Sequence, residues 1–214
     1  MNKKLTPLLI ICITAIVITG FRNIHGQVVC FGDSITQDDG HSWVYFLSRE
    51  HLDPEFVNAG RSGRKTEDKE ELRPVLKKYP DANYYLIFLG VNDLKNGDDS
   101  MVNNCVNNMQ WMITEIRKVN SKAKIVILAP TDINLKTMNE INKRKMYNEN
   151  TKQSLYKLEK RYKELAEMQH TGFISLLHAV SKPNYADGLH PNMAGQKEIA
   201  KVVWNGIKKM NEYD

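Results

Sequence analysis

The sequence predicts an α/β protein, a three-layer α/β/α sandwich around a five-stranded parallel sheet. Two observations predict it. Five short apolar runs alternate with five stretches of helical periodicity between residues 28 and 210, the pattern of strand–helix–strand units whose crossovers make sheets parallel. The runs are mostly too continuously apolar for a sheet with one wet face, so helices must cover both sides. A length of 214 residues suits one domain with a sizeable core, and no repeat, low-complexity stretch or linker divides it.

Strands are expected at residues 28–31 (VVCF), 55–58 (EFVN), 83–89 (NYYLIFL), 124–128 (KIVIL) and 172–176 (GFISL), and all five read as buried. Helices are expected at 41–50, 66–78, 100–119, 148–169 and 193–210. In the third, Val102, Cys105, Met109, Met112, Ile116 and Val119 recur at three- and four-residue spacing and form one apolar face. Leu155, Leu158, Tyr162 and Leu165 do the same in the fourth, as do Ile199, Val202 or Val203, Ile207 and Met210 in the last. Residues 131–148 are polar and charged, and read as a loop with a short helical turn bordering the site.

At the N-terminus, Lys3 and Lys4 precede an uncharged apolar run over residues 8–18, with small residues for cleavage at Gly20 and Gly26. This reads as a secretory signal peptide spanning residues 1–26, with the domain at 27–214. The run is shorter than the about 20 apolar residues a membrane span needs, so a membrane partner is expected only if the segment stays uncleaved. Cys12 lies inside the run, which argues against a lipid attachment site. Removing residues 1–26 takes away Lys3, Lys4 and Arg22 and no acid, so the net charge falls from +5 to +2. With no basic stripe carrying interleaved aromatics, nucleic acid is not an expected partner. Cys30 and Cys105 read as small core residues rather than a disulfide or metal pair, and an export signal without a disulfide framework suits a secreted or periplasmic bacterial protein.

Four motifs follow one another along the chain: GDSIT at 32–36, NAGRSG at 58–63, GVND at 90–93 and DGLH at 187–190. The first three directly follow the first three strands, and ligands of such sheets sit outside the carboxyl ends of the strands. Each is weak alone. Gly32, Asp33 and Ser34 also suit a polar turn, Gly63 a turn glycine, Asn92 and Asp93 a helix cap, and His190 a surface histidine. Together they supply what acyl transfer needs. A serine hydroxyl is a poor nucleophile near neutral pH and requires a base; imidazole suits that exchange, and a carboxylate three residues upstream can hold its tautomer. Ser34, His190 and Asp187 are therefore the candidate catalytic residues. The amides of Ser34 and Gly63 with the Asn92 side chain are candidate donors to an oxyanion.

On these motifs the chain resembles the SGNH, or GDSL, hydrolase family, from residue 28 to the last helix. The resemblance implies Ser34 as nucleophile, Asp187 and His190 as carboxylate and base, and Ser34, Gly63 and Asn92 as the oxyanion hole. It also implies a flavodoxin-like strand order of 2-1-3-4-5. No cofactor or metal is expected. One departure is Arg64 and Lys65, where many members carry Asp and Thr.

Two other classes compete: a metal hydrolase on Asp33, Asp93, Asp187 and His190, which lacks any paired-histidine motif, and a non-catalytic glycan-binding relic of the fold. Among substrates, a lysophospholipase or thioesterase calls for an apolar acyl groove. The segments beside the motifs, QDDGHSW, RSGRKTED and KNGDDS, are polar instead, and favour a small acyl group such as acetyl on a carbohydrate. Arg64, next to Gly63, is the candidate substrate-binding residue: it reads first as a solvated surface arginine and, as the alternative, as a guanidinium that pairs with the carboxylate of an anionic sugar. The expected partner is thus a small-molecule or glycan ester.

Overall fold

In the computed structural model, which describes residues 24–38 and 40–212, five parallel strands form one sheet in the order β2-β1-β3-β4-β5. The strands are β1 (Gln27–Gly32), β2 (Glu55–Gly60), β3 (Tyr84–Phe88), β4 (Lys124–Ala129) and β5 (Gly172–Ser175). Gly32 pairs with Gly60 on one side and Phe88 on the other, so the first three strands end level and their loops share one rim. The α/β/α sandwich and the strand order are as expected.

Burial divides the strands more sharply than their sequences do. Every residue of β3 and all but the first of β1 and β4 are buried, whereas β2 and β5, at the two edges, are mostly half-buried. The expectation of five fully buried strands is corrected in those two, because an edge strand has a neighbour on one side only.

Helices α2 (Trp43–Glu50) and α7 (Met193–Glu212) pack together, and α4 (Asp99–Val119) packs with α3 (Leu72–Lys78) and α6 (Glu149–Met168); the two groups sandwich the sheet. The expected helix at 66–78 is a 3₁₀ turn over Thr66–Glu71 that continues into α3. Two short helices had no strong periodicity: α1 (Ser34–Gln37), one turn long, and α5 (Glu140–Arg144), the helical turn expected within 131–148. Polar side chains start α2, α4 and α6: Ser42 accepts from the Tyr45 amide, Asp98 from Met101, and Asn148 from Thr151.

Trp43, fully buried, anchors α2 to the sheet by an edge contact with Phe88 and donates its indole N–H to Thr36 Oγ1 at 3.3 Å. Cys30 and Cys105 are free and buried. The expected signal segment lies outside the described residues except for 24–26, and these three join the folded body. Ile24 is 5% exposed and packs in the core, and the Gly26 carbonyl accepts from the Glu55 amide at 2.8 Å.

Candidate active site

The turn after β1 places Ser34 at the rim. Asp33, fully buried, caps α1 by accepting from the Ile35 amide at 2.9 Å, and Ser34 opens the helix, where backbone N–H groups have no intrahelical acceptor. Gln196 of α7 locks this turn: its Nε2 donates to the Ile35 carbonyl at 3.0 Å while its Oε1 accepts from the Trp43 amide at 2.9 Å.

Residues 156 apart in sequence then meet. The Ser34 hydroxyl lies 3.0 Å from His190 Nε2, and His190 Nδ1 lies 2.9 Å from Asp187 Oδ2. The other Asp187 oxygen accepts from the backbone amides of Leu189 at 3.0 Å and His190 at 2.8 Å. Burial acts to raise the Asp187 carboxyl, but the hydrogen bonds from His190 and Leu189 outweigh it and leave the group below its ordinary range. Asp187 thus stays ionised, with one oxygen fixed by the backbone and the other facing the ring. The serine, histidine and carboxylate expected from sequence form a continuous hydrogen-bonded chain.

The stretch 131–148 holds the DGLH turn in place. Asn134 donates its amide to the Gly188 carbonyl at 2.7 Å, and the Asn139 amide and Asn142 Nδ2 both donate to the Asp187 carbonyl, at 3.1 and 3.3 Å. Gly188 adopts φ +84°, and a Cβ there would lie 2.4 Å from Met138 Cα, so only glycine fits between the turn and this stretch.

Of the expected oxyanion donors, Gly63 sits at φ +73° on an exposed turn, with open space where a side chain would project. Asn92 is buried, and its orientation is set by a residue that sequence reasoning did not single out. The Tyr147 hydroxyl donates to Asn92 Oδ1 at 2.7 Å, which leaves the Nδ2 end as donor. That nitrogen makes two long bonds, 3.3 Å to Asp33 Oδ2 and 3.2 Å to the Arg64 carbonyl. Asp33 therefore joins the nucleophile turn to Asn92, and burial raises its carboxyl to about 7. Asp93 does not face the serine: it accepts from the Thr66 amide at 3.0 Å and the Thr66 hydroxyl at 2.5 Å, tying the β3 loop to the 3₁₀ turn. Among the described residues, no group of three or more His, Cys, Asp or Glu side chains is arranged to hold a metal ion.

Arg64 corrects an expectation. Its side chain turns inward, with the residue 6% exposed. Nη1 donates to the carbonyls of Gly32 at 2.6 Å and Ala59 at 2.7 Å, and Nε pairs with Glu71 at 3.0 Å. The guanidinium also lies 4.1 Å from the centre of the Phe31 ring. With its donors so committed it does not reach out to a sugar carboxylate. The backbone carbonyls at the strand ends, invisible in the sequence pattern, provided stronger partners.

Solved structures share this architecture. A carbohydrate acetylesterase from Sinorhizobium meliloti superposes with a TM-score of 0.72 at 18% identity, covering 86% of this chain and 99% of that one. An aryl esterase of M. smegmatis gives 0.71 at 19% identity, covering 86% and 99%. A catalytic mutant of an acetylxylan esterase from Geobacillus stearothermophilus gives 0.69 at 18% identity, covering 85% and 93%. No curated protein sequence matches significantly. Residues 30–198, which carry all four motifs, match the GDSL-like lipase/acylhydrolase family. The chain belongs to that family and is a serine carboxylic ester hydrolase.

Proposed function

We propose that the protein removes small acyl groups, acetyl above all, from carbohydrate hydroxyls through an acyl-enzyme on Ser34. The observation that carries the catalytic assignment is the chain from Ser34 through His190 to Asp187, at 3.0 and 2.9 Å. Ser34 Oγ bonds to the acyl carbon as its proton passes to His190 Nε2, and the carbonyl electron pair moves onto oxygen. Donors from the Ser34 and Gly63 amides and Asn92 Nδ2 meet that charge more strongly than they meet the neutral ground state. Collapse expels the sugar oxygen, which takes the proton from His190. Water then repeats the sequence on the acyl-enzyme, giving its proton to His190, and release of the acid restores Ser34.

The substrate assignment draws support from the polar segments beside the motifs and from the neighbours described as acetylesterases of carbohydrate and of xylan. With Arg64 turned inward, its guanidinium lends no support to a preference for anionic sugars. A series of chromogenic esters from acetyl to palmitoyl, followed by acetylated xylan, tests this reading. Activity should peak at acetyl and release acetate from the polymer. A maximum at long chains would replace it with a lysophospholipase or thioesterase.

Export through the N-terminal segment is part of the proposal. Because Ile24 packs in the core and the Gly26 carbonyl bonds to β2, cleavage near Gly20 suits the folded domain better than cleavage at Gly26. No described helix is long and apolar enough to cross a membrane. Mass spectrometry of the exported protein reads the new N-terminus, and a retained residue 1 would mark an uncleaved anchor.

A further inference from the structure

We infer that Arg64 is a positioning residue for the oxyanion hole: its side chain ties the end of β1 to the end of β2, and so fixes the turn whose backbone carbonyl meets Asn92. The inference rests on the reading of Ser34, Gly63 and Asn92 as the reaction centre. Gly32 is the last residue of β1, two before Ser34, and Ala59 lies near the end of β2, four before Gly63; Arg64 Nη1 bridges their carbonyls at 2.6 and 2.7 Å. The Arg64 carbonyl in turn accepts from Asn92 Nδ2 at 3.2 Å. The turn carrying Gly63 has other anchors, the Arg61 amide on the Gly32 carbonyl at 3.1 Å and the Arg64 amide on the Arg61 carbonyl at 3.1 Å, and neither reaches Asn92. Among the described residues, Arg64 alone hydrogen-bonds to all three parts.

Arginine suits this place for reasons of shape. A planar fork satisfies two carbonyls and a carboxylate at once, and its flat face stacks on Phe31, whereas an ammonium on a flexible stem is a single point. Near-total burial also spares these bonds competition from water, so they fix positions rather than merely favour them. Fixed positions are what an oxyanion hole requires, since its advantage over water lies in donors that need no rearrangement as charge develops. A misplacement of about 1 Å can cost roughly a hundredfold in rate.

The test compares Arg64→Ala and Arg64→Lys with the wild-type full chain on a chromogenic acetate. Arg64→Ala should lose about tenfold to a hundredfold in kcat with KM within about twofold, the pattern of a contribution made in the transition state. Millimolar guanidinium should restore part of that kcat in Arg64→Ala and none in Arg64→Lys, whose stem fills the space. Labelling of Ser34 by a fluorophosphonate should slow in step with kcat, because the phosphoryl oxygen uses the same donors. If Arg64→Ala does not fold, Arg64→Lys carries the test, with the same selective loss of kcat and slowed labelling. Wild-type kcat in either folded variant overturns the inference, as does a loss of kcat with unchanged Ser34 labelling. Failure of Ser34 to label in the active wild-type enzyme would overturn the assignment of the reaction centre instead.

Discussion

Tyr147 and Asn92 are joined by a 2.7 Å hydrogen bond in which the phenol donates to the side-chain carbonyl, and this bond decides which end of the Asn92 amide faces the nucleophile turn. A reversed amide would present an acceptor to the Arg64 carbonyl, itself an acceptor. Burial pushes the Tyr147 phenol well above its ordinary range, so it stays a donor through the whole working pH range.

Tyr147→Phe should therefore lower kcat on a chromogenic acetate by about tenfold while KM changes little, since the amide keeps its place but loses its alignment. Asn92→Ala removes the donor itself and should cost roughly a hundredfold to a thousandfold in kcat. Steady-state kinetics of the two variants check the order. A larger loss from Tyr147→Phe than from Asn92→Ala would give the tyrosine a role of its own in the reaction.

The Ser34, His190 and Asp187 chain makes a second expectation. Members of one catalytic unit are not additive, so Ser34→Ala, His190→Ala and the double variant should fall to about the same residual rate. Asp187→Asn should lose up to about ten-thousandfold, because an amide in place of the carboxylate favours the wrong ring tautomer. Near-normal turnover of Asp187→Asn would show that another group orients His190.

Sequence and structure agree where the determinants are local. Strand interiors such as residues 84–88 and helix faces such as Val102, Cys105 and Met109 announce themselves by apolar spacing, and the GDSIT, GVND and DGLH motifs carry their own chemistry. Partners chosen by three-dimensional proximity were not legible. Tyr147 lies in a polar stretch with no periodicity, and its approach to Asn92 depends on how that stretch folds over the rim. The direction of the Arg64 side chain was likewise decided by the carbonyls at the ends of β1 and β2 and by Glu71, none of which leaves a signature near residue 64. The edge strands β2 and β5 are less buried than their composition suggests because position in the sheet is set by topology, not by composition.

Gly188 is the point where the catalytic turn presses on the 131–148 stretch. A Cβ there would meet the Met138 backbone at 2.4 and 2.6 Å, and φ is +84°, so neither side can yield cheaply. Gly188→Ala should destabilise the protein by at least about 1 kcal/mol from the backbone conformation alone. It should also reduce kcat, because Asp187 and His190 ride on the same turn. Urea denaturation and kinetics on the purified variant measure both. Unchanged stability would mean that the turn and the stretch separate without cost.

Asp33 makes the last expectation, one in pH. Its carboxyl is raised to about 7 by burial, the main cause, against the lowering effect of the Ile35 amide and the nearby His190 and Arg64, while Asp93 adds to the rise. In the unfolded chain the same group titrates near its ordinary value of about 3.9. Between these two values the native state holds a proton that the unfolded state has released, so stability falls as pH rises from about 4 to about 7. A shift of this size corresponds to a few kcal/mol, on the order of 1.4 kcal/mol for each unit. Asp33→Asn cannot ionise and should lose that slope: the difference in Tm, variant minus wild type, should climb across this interval. The carbonyl oxygen of the substituted amide can still cap α1 at the Ile35 amide, but its NH₂ would face Asn92 Nδ2, donor against donor. The variant should therefore be less active even where it is more stable. A difference in Tm that stays flat from pH 4.5 to 7.5 would mean that Asp33 is ionised throughout, balanced by His190 and Arg64 despite its burial.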